Sequence, residues 1–308
     1  MLRLLAWYQG AQRDLPWRHT RDPYAILVAE VMLQQTQVSR VVPRYDQFLA
    51  CFPTWHALAD APVADVIRAW EPLGYNRRAV RLHRLAQAAV HRWDGDLPHE
   101  PELLRCLEGI GPYTAAAVAC FAFGAPVPVL DTNARRVLLR LFLGPAKAQE
   151  RELRALAQEA VAALPEGQAP AWNQALMDLG ATVCTSRKPL CPRCPLRADC
   201  RSALWMQRAN ERVAEARGPY RALRLKPFRG SSRYYRGRIV HQLRLLPPGE
   251  SVALEELGTR VKTTFAVTEL PWLYRLVATL EREGLARVEA ASGLTLNSEL
   301  GHVRVRLP

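Results

Sequence analysis

Over the first two hundred positions the apolar residues recur at helical rather than strand spacing, so this part of the chain reads as a succession of amphipathic helices. Ile26, Val28, Val31, Leu33 and Val38 predict one helix over Ala25–Val41, entered through Asp22-Pro23-Tyr24, after a short first helix that ends at Asp14-Leu15-Pro16-Trp17-Arg18. Further helices are predicted over Tyr45–Phe52, Trp55–Asp60, Val63–Trp70 and Arg77–Trp93, punctuated by Pro53, Pro62, Pro72 and Gly74, and then over Arg151–Leu164 and Ala171–Leu179. The fold class is therefore mainly α.

One stretch breaks the pattern in an informative way. Leu103, Leu104 and Leu107 give a helix an apolar face, Gly109 and Gly111 follow at a turn, and Pro112 opens a second helix. Such a helix–turn–helix unit, about 101–124, leaves unpaired backbone N–H groups at a helix start, where a phosphate can accept from them. An ordinary helical hairpin, with glycines serving only close packing, is the bland alternative. A loop and one acid come next, in Val129-Leu130-Asp131-Thr132-Asn133.

Charge moves the balance toward a polyanionic partner. The 308 residues carry 42 Lys and Arg against 29 Asp and Glu, a formal net charge of +13, with a pI near 9.9. At 49% apolar the chain can bury a real core, in two or three domains. No apolar run is long enough to span a bilayer and Met1–Trp7 lacks the features of a signal peptide, which points to a cytoplasmic protein.

Four of the seven cysteines crowd together at Cys184, Cys191, Cys194 and Cys200. Four thiolates suit either an iron–sulfur cluster or zinc. Cys51, Cys106 and Cys120 lie in apolar helical contexts and read as small core residues. Glu30 stands amid apolar neighbours, where burial raises a carboxyl pKa and suits a general acid; a solvated face of an amphipathic helix is the competing reading. Tyr75-Asn76-Arg77-Arg78 falls at a loop-to-helix junction, where an aromatic and two guanidiniums can meet a duplex, or where Tyr75 simply caps the core.

Pro16-Trp17-Arg18, the segment Glu30 to Thr36, Leu73-Gly74-Tyr75, the Gly109–Thr114 turn, the Asp131/Asn133 pair and the cysteine loop together resemble the helix-hairpin-helix DNA glycosylases of the endonuclease III superfamily, most closely the MutY type, from about Leu15 to Cys200. The resemblance implies a [4Fe-4S] cluster held by the four cysteines, with Arg187 and Lys188 projecting from that loop toward DNA phosphates. It implies base flipping, with Gln35, Thr36 and Tyr75 at the wedge that fills the gap in the duplex. Glu30 resembles the acid that protonates adenine, Asp131 the carboxylate that stabilises the sugar cation, and Asn133 a residue orienting that site. Arg13, Trp17, Arg18, Leu33 and Gln174 match residues lining the adenine pocket, and Gly109 and Gly111 match the phosphate-binding turn. Strand-nicking relatives carry lysine where this chain has Tyr113, so a monofunctional enzyme is implied, with Tyr113 near Asp131. The implied partner is double-stranded DNA with adenine opposite 8-oxoguanine or guanine, bound by a monomer. A thymine glycosylase for T·G mismatches and an inactive, cluster-bearing DNA-binding or redox-sensing protein are the alternatives.

The chain departs from the MutY pattern at Thr132, usually glycine, and at Asn76, usually a second aromatic. It also lacks the usual Nudix-like domain that reads 8-oxoguanine. The expected division is a glycosylase domain over 1–200, a basic linker over 201–230 and a small C-terminal domain over 231–308. In the last, helices at Tyr234–Leu245, Leu254–Arg260 and Pro271–Glu283 and strands at Ala286–Ala290 and Val303–Leu307 follow a winged-helix order. That domain is expected to add phosphate contacts rather than to read the opposite base.

Overall fold

The computed structural model describes residues 2–144, 149–203, 228–289 and 300–308; most of the expected linker lies outside them. By contacts the chain divides into two units, each built from two stretches: Met1–Glu30 with Leu97–Ala222, and Val31–Asp96 with Leu223–Pro308. The expected cut near residue 200 follows the sequence, whereas the structure groups the C-terminal segment with α-helices from the first hundred residues.

In the first unit, α1 (Leu2–Ala11), α7 (Pro101–Leu104), α8 (Pro112–Phe123), α9 (Thr132–Leu138), α10 (Glu150–Ala162) and α11 (Ala169–Thr182) surround one core. Leu4, Tyr8, Cys120, Val137, Leu138, Leu153, Trp172, Leu176 and Leu179 fill it. One buried polar residue shapes the α8–α9 loop. Buried Asn173 accepts from the N–H of Val129 at 2.8 Å and donates to the carbonyl of Val127 at 3.0 Å, satisfying backbone that no regular element would pair. Of the three cysteines expected in the core only Cys120 is there; Cys51 and Cys106 are exposed. Phe48, Phe52, Leu104 and Leu107 are buried near them in sequence and take the inward positions.

In the second unit, α3 (Val38–Cys51), α4 (Trp55–Asp60), α5 (Val63–Ala69) and α6 (Arg77–Trp93) precede the C-terminal elements. The single helix expected over Ala25–Val41 is two. α2 (Pro23–Leu33) stops, Gln35 turns into left-handed backbone at φ +55°, and α3 restarts at Val38 and runs on through Pro43. The cause is long-range: the buried Arg78 guanidinium takes the carbonyls of Val31, Met32 and Gln34 at 2.6–2.9 Å, so these acceptors need no continuing helix.

The C-terminal segment runs α12 (Ser232–Arg244), β1 (Val252–Ala253), α13 (Leu254–Val261), α14 (Leu270–Arg282), β2 (Arg287–Glu289) and β3 (Arg304–Arg306). Its sheet is antiparallel, ordered β1-β3-β2, with Val305 opposite both Val252 and Val288. This is the winged-helix order, with one short strand, β1, that the sequence did not announce; Ala290 lies outside the described residues. Ile239, Leu243, Leu257, Leu273, Val277 and Val305 share a core with Ile67 of α5 and Val80 of α6. Removing the C-terminal segment would thus uncover buried apolar surface.

Close packing of α11 on α9 makes one glycine indispensable. A Cβ at Gly180 would stand 2.6 Å from that of Asn133 and 3.1 Å from its backbone. Gly180→Ala in a helix interior ordinarily stabilises, but here overpacking reverses the sign. The expected loss is about 1–3 kcal/mol, visible in denaturant melts; unchanged stability would contradict this packing.

Candidate active site

At the hairpin, Leu104, Leu107 and Ile110 are buried and draw the chain through a tight turn. Leu103, expected on the same face, is 48% exposed because α7 is a single turn and its neighbour Leu104 points inward. Gly109 adopts φ +89°, a conformation that favours glycine. Gly111 does not use that freedom. It is the extended N-cap of α8, and a Cβ there would meet nothing within 4 Å. Its bare face leaves the first N–H groups of α8 open to an approaching anion.

One residue into α8, Tyr113 donates a hydrogen bond to the carboxyl of Glu30. Glu30 is 7% exposed, and among the described residues no cation answers it. Burial, with a smaller contribution from the charge of Asp131, pushes its pKa up to about 7 against the opposing hydrogen bond of Tyr113. Tyr113 is itself raised well above a free phenol, by burial and then by the two carboxylates.

Asp131 caps α9. One oxygen accepts from the N–H of Ala134 at 2.6 Å, the other from Asn133 Nδ2 at 3.0 Å. Asn133 Oδ1 in turn accepts from Arg136 Nη2 at 2.8 Å, and the same guanidinium reaches the carbonyls of Gly180 at 2.7 Å and Cys184 at 2.9 Å. Thr132, where the family pattern has glycine, is the exposed first residue of α9, so its side chain is accommodated. Glu30, Tyr113, Asp131 and Asn133 are therefore one constellation within the first unit.

Beside it lies a charge cluster that the sequence did not reveal. Asp178 is fully buried, yet accepts from Arg13 Nε at 2.6 Å and from both Arg18 terminal nitrogens at 2.7 and 2.8 Å. Burial alone would raise its pKa; the hydrogen bonds from Arg18 and Arg13 outweigh it and hold the carboxyl below its usual value. Gln174 accepts from the Tyr8 hydroxyl at 2.6 Å, and Trp17 is half-buried in the 3-10 turn Pro16–Arg18. Arg13, Arg18 and Gln174 are thus fixed by Asp178 and Tyr8.

The cysteine loop leaves α11 through tight turns. Cys184, Cys191, Cys194 and Cys200 line one small cavity together with Arg140, Val183 and Pro189. Burial raises the Cys191 and Cys200 thiols and pushes Cys194 up to about 11, with the other three sulfurs adding to it. Among the described residues no group of His, Cys, Asp or Glu is arranged as a finished metal site. The fit to a resident cluster is instead in the donor set: four mutually repelling sulfurs around a common apolar space, with Arg140 Nη1 at 3.4 Å from Cys184 Sγ. Arg187 and Lys188 are exposed on this loop.

The remaining candidates belong to the second unit. Leu33 ends α2; Gln35 and Tyr75 both hold left-handed backbone, φ +55° and +46°, which is costly for side-chain-bearing residues. Arg78 pins both turns. Besides the three carbonyls near Gln35 it donates to Thr36 Oγ1 at 2.9 Å and to the Gly74 carbonyl at 3.2 Å. Burial lowers its pKa to about 10. The sequence reading grouped Arg78 with Arg77 as guanidiniums that can meet a duplex; the structure buries Arg78 instead.

Residues 28–163 match the HhH-GPD superfamily base excision DNA repair protein family. The adenine DNA glycosylase of Mycolicibacterium smegmatis (strain ATCC 700084 / mc(2)155) is 45% identical over 248 residues, 79% of this chain and 80% of that protein. A solved thermostable thymine-DNA glycosylase is 33% identical, covering 66% of this chain and 94% of its own, with a TM-score of 0.62. A non-covalent endonuclease III–DNA complex shares the fold, with a TM-score of 0.57 at 23% identity, covering 67% of this chain and 94% of its own. Among the described residues no helix is long and apolar enough to cross a membrane. The chain belongs to the adenine DNA glycosylases of the HhH-GPD superfamily of base excision DNA repair proteins.

Proposed function

We propose that this enzyme removes adenine from A·8-oxoguanine and A·G pairs, acting as a monomer on double-stranded DNA without nicking the strand. The observation that carries the reading is the buried Glu30, held near neutral pKa next to Asp131. With the adenine flipped out of the stack, Glu30 gives its proton to N7 and the C1′–N9 bond breaks with its electrons going to the base. The cation left on the sugar faces the carboxylate of Asp131, oriented by Ala134 N–H and Asn133. Water then adds at C1′ and a carboxylate takes its proton. Tyr113 supplies no amine for a Schiff base, which supports a monofunctional reaction.

Arg13, Trp17, Arg18, Leu33 and Gln174 are read as lining for the adenine. Gly109, Gly111, Arg187 and Lys188 are read as phosphate contacts, and Gln35, Thr36 and Tyr75 as the wedge. Cys184, Cys191, Cys194 and Cys200 would hold a [4Fe-4S] cluster, whose four thiolate bonds would stiffen the loop. The thymine-DNA glycosylase likeness makes T·G duplexes a necessary control. Release of adenine alone from a panel of A·8-oxoguanine, A·G, T·G and A·T duplexes supports the assignment; thymine release would replace it.

Glu30→Gln and Asp131→Asn should each slow single-turnover excision by about a hundredfold or more while duplex binding persists. The wild-type rate should fall as pH rises through about 7, where Glu30 loses its proton. Tyr113→Phe removes a hydrogen bond that favours the ionised form, so this alkaline limb should move to higher pH. A limb that stays put in Tyr113→Phe and survives in Glu30→Gln would take the acid role away from Glu30.

Anaerobically purified protein should carry iron and absorb in the visible. Cys191→Ser or Cys194→Ser should weaken DNA binding before the helical signal in circular dichroism falls. Stoichiometric zinc in place of iron would refute the cluster.

A further inference from the structure

The helix α1 precedes Leu15, where the family resemblance begins, yet one of its side chains acts on a residue read as lining the adenine pocket. Tyr8 is 6% exposed and shares a core with Leu4, Trp172 and Leu176. Its ring belongs in such a core. Its hydroxyl does not, because a buried polar group needs a partner that phenylalanine in the same space would not require.

The partner is Gln174, whose Oε1 accepts from the Tyr8 hydroxyl at 2.6 Å. This length is that of an O–H···O bond and is short for one made by an amide nitrogen. The amide oxygen therefore faces the phenol, and the nitrogen faces away. Burial raises the Tyr8 pKa above that of a free phenol, so the donor keeps its proton. Among the described residues nothing accepts from Gln174 Nε2. One turn further along the same face of α11, Asp178 holds Arg13 and Arg18, and the Arg18 guanidinium stands 5.9 Å from the Tyr8 ring centre. The arginines offer donors only. Gln174 has two unlike ends, an acceptor and a donor, and turning its amide over exchanges them without changing its shape.

That exchange matters for a purine. Adenine presents an acceptor at N1 and a donor at its 6-amino group, whereas a 6-oxopurine presents N1–H and an accepting O6. The two bases have nearly the same outline. An amide in one orientation complements the first, and the same amide turned over complements the second. We infer that Tyr8 is a positioning residue for specificity: by locking the Gln174 amide in one orientation it makes the pocket take a 6-aminopurine and refuse a 6-oxopurine. The inference rests on the adenine-excision reading. The lock works because turning the amide would leave the buried phenol proton without an acceptor. The free lone pair of Oε1 and the free Nε2 are then the groups left for the base.

Tyr8→Phe keeps the ring and removes only the hydroxyl. Single-turnover excision of adenine and of hypoxanthine, each opposite 8-oxoguanine, is compared in the wild type, Tyr8→Phe, Gln174→Ala and the double variant. The adenine-to-hypoxanthine rate ratio should fall about tenfold in Tyr8→Phe. With Gln174 already replaced by alanine, Tyr8→Phe should change that ratio by less than about twofold. Equal slowing on both bases would make Tyr8 a packing residue and overturn the inference, as would an unchanged ratio or the same fall with and without Gln174. A second measurement needs no excision: the wild type should bind a duplex with uncleavable 2′-fluorinated deoxyadenosine about tenfold more tightly than one with the deoxyinosine analogue, and Tyr8→Phe should lose this preference. The preference and its loss without adenine release would keep the role of Tyr8 and reject the adenine reading. Adenine release with a preference that survives in Tyr8→Phe, or with no preference in the wild type, would keep the adenine reading and reject the role of Tyr8.

Discussion

A carboxyl group that must keep its proton near neutral pH has to be buried where no cation answers it. Glu30 and Asp178 are both sequestered, at 7% and 0% exposure, yet they end in opposite states. Around Asp178, Arg13 and Arg18 supply four charge-assisted or backbone hydrogen bonds, and the carboxylate is stabilised despite burial. Around Glu30 the described partners are a phenol and another carboxylate, so desolvation wins. Two acids of the first unit are held in different states by their neighbours alone: one keeps its proton up to about pH 7, the other is an ionised anchor for two arginines.

The second unit applies a related logic to the backbone. Gln35 and Tyr75 hold conformations that cost energy, and Arg78 compensates by giving both terminal nitrogens to carbonyls of the two turns and to Thr36, while its Nε stays without a partner among the described residues. A lysine could not do this, because its donors diverge from one point and lack the planar fork. The replacement of the usual second aromatic by Asn76 becomes intelligible here. Its amide oxygen receives Arg244, so the position that would stack elsewhere in the family instead fastens the winged-helix segment to the loop bearing Tyr75.

Much of this was legible in the sequence because it rests on local pattern. The hairpin needs Gly109 and Pro112 at fixed offsets, the acids Glu30 and Asp131 stand out against apolar surroundings, and four cysteines announce themselves by spacing. What stayed hidden depends on contacts between distant residues. The break at Gln34–Thr36 could not be read from an uninterrupted apolar periodicity, since its cause, Arg78, lies more than forty positions away. Asp178 meets Arg18 across 160 positions and Arg13 across 165. Cys51 and Cys106 looked buried because their neighbours are. The grouping of the C-terminal segment with α5 and α6 had no local signal, for Ile67 and Val80 are ordinary core residues whose partners only the fold supplies.

The same distinction explains why α9 matters more than its seven residues suggest. Its first turn is capped by Asp131, its middle carries Arg136, and Arg140 follows one turn later on the same face. Arg136 joins Asn133 to the carbonyl of Cys184, and Arg140 reaches the Cys184 sulfur and the carbonyls of Thr185 and Ser186. The helix therefore has its N-terminal end in the chemistry and its C-terminal end in the cysteine loop. These two arginines already hold the loop's carbonyls, so the path of the chain after Cys184 is set from α9 and the residues that follow it. The Asp131 cap and the cysteine loop are therefore linked by side-chain hydrogen bonds through one short helix, and a displacement at either end has a direct route to the other.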